Sequence, residues 1–111
     1  ALMILSPNYN DSVSANIIAF INRLPALYRK VDFKDKLLFS IVVSGYSGSD
    51  ILAEQLISSL HFNKGFALPA HAIRMLTAND PGEILSCKDI EKEAAVYAER
   101  IKKNLYTFNK N

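Results

Sequence analysis

Two apolar runs constrain this chain more than any other feature. Residues 1–5 read ALMIL and residues 37–43 read LLFSIVV, and each gives way to a loop rich in Ser, Asn, Gly and Tyr before an amphipathic stretch begins. Apolar runs of that length, without polar alternation, suit strands buried on both faces. The second run is also rich in β-branched residues, which favour a pleated strand. After the first run, Ile17, Phe20, Ile21 and Leu24 recur at helical spacing between Ser14 and Leu24, and Pro25 breaks the pattern. Asp11 or Ser12 stands where a cap for that helix belongs, and Asp50 where a cap for the next one belongs. The second helix takes its core face from Leu52, Ala53, Leu56, Ile57 and Leu60.

A third strand falls within residues 65–76, GFALPAHAIRML, where Pro69 limits hydrogen bonding or marks a bulge. Asp80-Pro81-Gly82 forms the turn of the loop that follows. The last helix is expected to start near Ser86, which with Asp89 resembles a capping box, and to bury Ile90, Ala94, Tyr97, Ile101 and Leu105. Strand alternating with helix three times over predicts an α/β domain with a parallel sheet and right-handed crossovers. Ligands of such sheets bind beyond the carboxyl ends of the strands, which singles out residues 6–12 and 44–49.

The totals narrow the function. A length of 111 residues allows at most one domain, spanning residues 1–111. A net charge of +2, with 13 basic residues dispersed among 11 acids, does not point to nucleic acid. No apolar run is long enough to cross a bilayer and no segment has the make-up of a signal peptide, so a membrane is not an expected partner. Cys87 is the single cysteine and there are two histidines, so neither an internal disulfide nor a zinc cluster is expected, and a cytoplasmic location fits best.

In SPNYND, Pro7 fixes the backbone, Asn8 and Asn10 tolerate turn conformations, and the amides of residues 9–12 lead into a helix N-terminus. Tyr9 offers a ring to a planar ligand. SGYSGSD adds glycines that permit close backbone approach, serine hydroxyls and a second helix start. The pair suits a flat ring with polar edges, and neither the P-loop nor the GxGxxG pattern is present.

SPNYNDSVSANIIAFINRL resembles the flavin-contacting loop and following helix of the NADPH-dependent FMN reductase family, whose usual form is (S/T)P-x-Y-(N/W)-G-S before a helix ending in a (D/N)-(R/W)-L turn. LLFSIVVSGYSGSDILAEQLISSLHFNKG is similar to that family's next strand, Gly/Ser-rich flavin loop and helix, and ALPAHAIRM and the closing helix follow in order. The resemblance implies a flavodoxin-like three-layer α/β/α fold with a parallel sheet, partial here, with about three strands and three helices. It implies a bound FMN, with NAD(P)H as co-substrate, hydride transfer to the flavin and electron delivery to a small-molecule acceptor. Pro7, Asn8, Tyr9, Asn10 and Ser12 would then meet one side of the isoalloxazine, and Ser44, Gly45, Tyr46, Ser47 and Gly48 the other. No catalytic side chain and no metal are implied, and homo-oligomers are common in the family.

Three positions depart from the family pattern: Asp11 for Gly, Ile18 for Lys and Asn22 for Asp. The family's first strand, phosphate loop and next strand and helix have no counterpart, so these residues are expected to be the later part of a longer protein. Otherwise ALMIL is an unpaired apolar edge, and either a partner covers it or flavin binding is poor. Two other readings stand beside the reductase: a cofactor-free flavodoxin-like interaction module, and a hydrolase in which GYSGS serves as a nucleophile elbow with Ser47 as nucleophile. His61, His71 and Cys87 read as structural.

Overall fold

The first apolar run forms strand β1 (Leu2–Pro7), the second β2 (Leu38–Ser44), and the third β3 (Ile73–Thr77). Helices α1 (Ala15–Tyr28), α2 (Ser49–Leu60) and α3 (Ile90–Lys110) follow the strands in turn, with one short 3-10 turn at Glu83–Ser86 before α3. The computed structural model describes residues 1–110. The three strands are parallel and lie in the order β1-β2-β3, with Leu2 opposite Leu38 and Ser40 opposite Ile73.

That register puts Leu2, Ile4, Leu38 and Val42 on one face of the sheet. There they pack with Ile17, Ile21 and Leu24 of α1 and with Leu52, Leu56 and Leu60 of α2. Phe39 and Ile41 point the other way, onto Tyr97, Ile101 and Leu105 of α3. The result is helices on both sides of a short parallel sheet, the partial flavodoxin-like α/β/α arrangement. Tyr97 fastens its layer from within: its hydroxyl reaches the carbonyls of Ser40 (3.1 Å) and Ala72 (2.6 Å), and burial raises its pKa.

Several local expectations are corrected. β1 is buried on one face only: as an edge strand beside β2 it leaves Met3 and Leu5 44% and 64% exposed. On that face α3 packs against β2 residues, and no β1 residue joins its cluster. Pro25 does not end α1, which runs on to Tyr28 because Leu24 is buried and Tyr28 packs back on the core. Phe20 is exposed, at the margin of the helical stripe. Ser14, not Asp11 or Ser12, is the α1 cap, and the amides of Ile17 and Ile18 bond its carbonyl. Gly48 rather than Asp50 caps α2, leaving Asp50 in the first turn, where its charge complements the helix dipole.

Ser86 closes the 3-10 turn, and α3 starts four residues later, after Asp89 adopts a left-handed φ of 56° that interrupts the path. Ala94 lies exposed on α3. The Asp80–Gly82 turn is as expected: the Glu83 amide bonds the Asp80 carbonyl (3.0 Å), and Gly82 takes the positive φ. Pro69 lies outside β3. Among the described residues no helix is long and apolar enough to cross a membrane.

Candidate functional site

Three loops leave the carboxyl ends of the strands, and the structure ties them together. The first is a two-residue turn. Tyr9 and Ser12 exchange both backbone hydrogen bonds (3.1 Å each), and Asn10 and Asp11 between them have φ of 54° and 56°. Positive φ at both central residues defines a type I′ turn, for which Asn followed by Gly is the preferred pair. Asp11 holds the second position with an L side chain, and its carboxylate is put to use.

Asn8 joins the first loop to the second. Its Nδ2 donates toward Ser44 Oγ (3.0 Å), the Ser47 carbonyl (3.2 Å) and Asp11 Oδ1 (3.3 Å). The carboxylate and the carbonyl are acceptors only, so the amide nitrogen must face them and the amide oxygen must face away. That oxygen, Asn8 Oδ1, is buried and has no hydrogen-bond partner. A buried acceptor left without a donor costs roughly 1–3 kcal/mol. Ser44, buried at the end of β2, also receives the Ser49 hydroxyl at 2.7 Å.

Gly48 makes the close approach possible. Its φ is +94°, and a Cβ there would lie 2.2 Å from Asp11 Oδ1 and 2.7 Å from Asn8 Nδ2. Gly45 meets the third loop in the same way, because a Cβ on it would lie 2.7 Å from Asn79 Oδ1. The Ala78 amide bonds the Ser44 carbonyl (2.9 Å). The third loop is braced by Glu83, whose carboxylate accepts from the amides of Asn79 (2.5 Å) and Asp80 (2.8 Å). The Asp80 bond first, and the Asn79 bond after it, hold the Glu83 pKa below the usual carboxylate value.

The residues singled out in the sequence therefore divide into three kinds. Asn8, Ser44 and Gly48 form the knot between the loops, with the Ser47 carbonyl as an acceptor. Tyr9 and Tyr46 do not join it: they are 61% and 85% exposed, the two aromatic surfaces the first and second loops offer to solvent. Pro7, Asn10, Ser12 and Gly45 shape the backbone around them. Sequence reasoning placed Asp11 and Ser49 in the two loops without naming them as site residues, and passed over Gln55 and Asn79. Gln55 Oε1 accepts the Val13 amide (3.1 Å) and so fixes the chain between the first loop and α1. Asn79 was findable, since the rule that chose the first two strand-end loops chooses the third as well.

A hydrolase centre is not assembled. Ser47 precedes α2, while His61 follows its 12 residues, roughly 18 Å away along the axis. His61 Nδ1 is engaged by the Phe66 carbonyl at 2.7 Å. His71 precedes β3, at the other end of the sheet from the loops. Among the described residues no group of three or more His, Cys, Asp or Glu is placed to hold a metal ion.

The model of one family, described as NADPH-dependent FMN reductase, matches residues 1–80 of the chain. Curated proteins and solved structures give no match.

Proposed function

The chain belongs to the NADPH-dependent FMN reductase family, and from that premise we propose that its loop knot holds the isoalloxazine of FMN in an NAD(P)H-dependent oxidoreductase serving a small-molecule acceptor. The single observation that carries the reading is Asn8 Oδ1, a buried acceptor that the chain itself leaves without a donor. The imide N–H on the pyrimidine edge of a flavin is a donor of the missing kind. When bound, FMN supplies the redox chemistry that links a nicotinamide donor to an acceptor such as a quinone, another flavin, a metal ion or an azo compound.

The protein's own part is positional. Asn8 and Gly48 fix the distance between the first and second loops. The free amides at the starts of α1 and α2 favour electron-rich groups, and the exposed rings of Tyr9 and Tyr46 offer flat apolar surfaces. Pro7, Asn10, Ser12, Gly45 and Ser47 supply backbone and hydroxyl groups around the same rim, and the buried Ser44 anchors Asn8 beneath it. No side chain is needed as a general acid. A cytoplasmic location and self-association belong to the same proposal. Self-association is favoured by the exposed Met3 and Leu5 on the edge strand, an apolar surface that a second copy can cover.

The test is flavin retention. The protein is mixed with FMN and separately with riboflavin, desalted, and its absorbance spectrum recorded, followed by bleaching with NADPH and NADH. Retained flavin that bleaches with nicotinamide supports the reading, and equal retention of riboflavin assigns the binding to the ring. A colourless protein whose addition also leaves flavin fluorescence unchanged overturns it and favours the cofactor-free module.

A further inference from the structure

Away from the loops, α3 carries a second cluster. Lys92, Glu93, Tyr97 and Arg100 recur at helical spacing, so they share one side of the helix, and with Asp89 just before it and Arg74 of β3 they line a cleft of about 290 Å³. A recess of about 60 Å³ adjoins it, sharing Arg74, Glu93 and Tyr97 and closed by the apolar side chains of Ile41, Leu76, Ile90 and Ala94.

The charges in the cleft are unevenly satisfied. The Arg74 guanidinium pairs with the Glu93 carboxylate. Among the described residues no carboxylate lies within 4.0 Å of Lys92 or Arg100, and no cation lies that close to Asp89. Three cations against two carboxylates leave the cleft positive. Tyr97 is fixed as a wall, because its hydroxyl is taken up by the carbonyls of Ser40 and Ala72.

We propose that this cleft binds a short-chain organic acid, with the carboxylate held by Lys92 and Arg100 and the alkyl end in the recess. The recess sets the size: a cavity of about 150 Å³ accepts benzene, so 60 Å³ accepts two or three carbons and excludes a ring. An inorganic anion would leave the recess empty, and an organic cation would meet the wrong charge. The inference does not depend on flavin binding.

The experiment is a two-dimensional amide NMR titration of the whole protein with acetate, butyrate and butylammonium. Butyrate is expected to give saturable shifts at the amides around residues 74 and 89–100, with affinity roughly tenfold above acetate for its two further methylenes. Butylammonium is expected to give none. Lys92→Gln with Arg100→Gln should weaken butyrate at least tenfold. Both side chains are exposed, and unchanged peak dispersion elsewhere would show that the fold is intact. Ala94→Leu should abolish the preference for butyrate while leaving acetate unchanged. Equal affinity for acetate and butyrate, saturable binding of butylammonium at the same amides, or the absence of saturable shifts with every probe would each overturn the proposal.

Discussion

Replacing Gly48 with alanine tests whether the two loops are held by the contacts described. The substitution meets two obstacles. The backbone at φ 94°, ψ 1° is left-handed, which costs an L residue roughly 1 kcal/mol. The new Cβ would lie 2.2 Å from Asp11 Oδ1 and 2.7 Å from Asn8 Nδ2. Asp11 is exposed and its carboxylate can swing away, giving up its bond to Asn8. Asn8 cannot yield without also loosening its bonds to Ser44 and the Ser47 carbonyl, each worth about 1 kcal/mol. The sum is a destabilisation of roughly 2–3 kcal/mol.

Urea unfolding reads it as a lower midpoint at unchanged slope. The specific prediction lies in a double-mutant cycle. Asp11→Gly alone should change stability by less than about 0.5 kcal/mol, because it trades one exposed bond for a more comfortable turn residue. In the Asp11→Gly background Gly48→Ala should cost about 1 kcal/mol less than in the parent, because the nearer of the two clashes is gone. If Gly48→Ala costs under 0.5 kcal/mol, or if the two changes are additive, the loops are not joined in the way described.

Further expectations follow from single features. Tyr97→Phe should cost roughly 1–2 kcal/mol in urea unfolding, since two buried carbonyls lose a shared donor. Burial raises the Tyr97 pKa, so its contribution is complete below the unfolded value near pH 10 and declines as pH rises toward the folded value; Tyr97→Phe should flatten that alkaline decline. Glu83 has the opposite sign: its lowered pKa gives stability that is present above the unfolded carboxylate value and is lost as pH falls through the folded one. Glu83→Gln should therefore reduce the acid-side slope of a stability–pH curve, and an unchanged slope would remove the brace on the third loop. Leu5→Lys, on the exposed face of the edge strand, should convert an associated species to monomer in light scattering, without a loss of stability beyond that of dissociation.

The fold was legible where chemistry and period agreed. The three strands, their parallel alternation with helices and the two Gly/Ser/Asn loops all follow from runs of residues, because burial is a property of runs. Single positions were harder to read. Pro25 has the sequence character of a stop, yet tertiary packing of Leu24 and Tyr28 carries the helix past it. Ser86 has the character of a cap, but the left-handed Asp89 lies between it and the helix. Asp11 bonds Asn8 within its own loop, but its place in the knot depends on the close approach of Gly48 from another loop, and a contact between loops leaves no local periodicity. The exposure of Met3 and Leu5 was hidden for a similar reason: an apolar residue on a strand does not disclose whether a helix covers that part of the sheet.

The Asn8–Ser44 bond joins residues 36 apart in the chain, and this bears on the order in which the molecule is made. Parallel strands cannot pair through a short hairpin, so the Asn8 bonds to Ser44 and to the Ser47 carbonyl wait for a long crossover to close. During synthesis the first loop emerges well before the second, and Asn8, which already has Asp11 beside it, must wait for the Ser44 hydroxyl and the Ser47 carbonyl. High sequence separation of this kind slows folding and leaves the apolar strands unpaired for longer. The candidate site is thus among the last features to form, and competence to bind a ligand there should appear together with the complete sheet in a refolding time course.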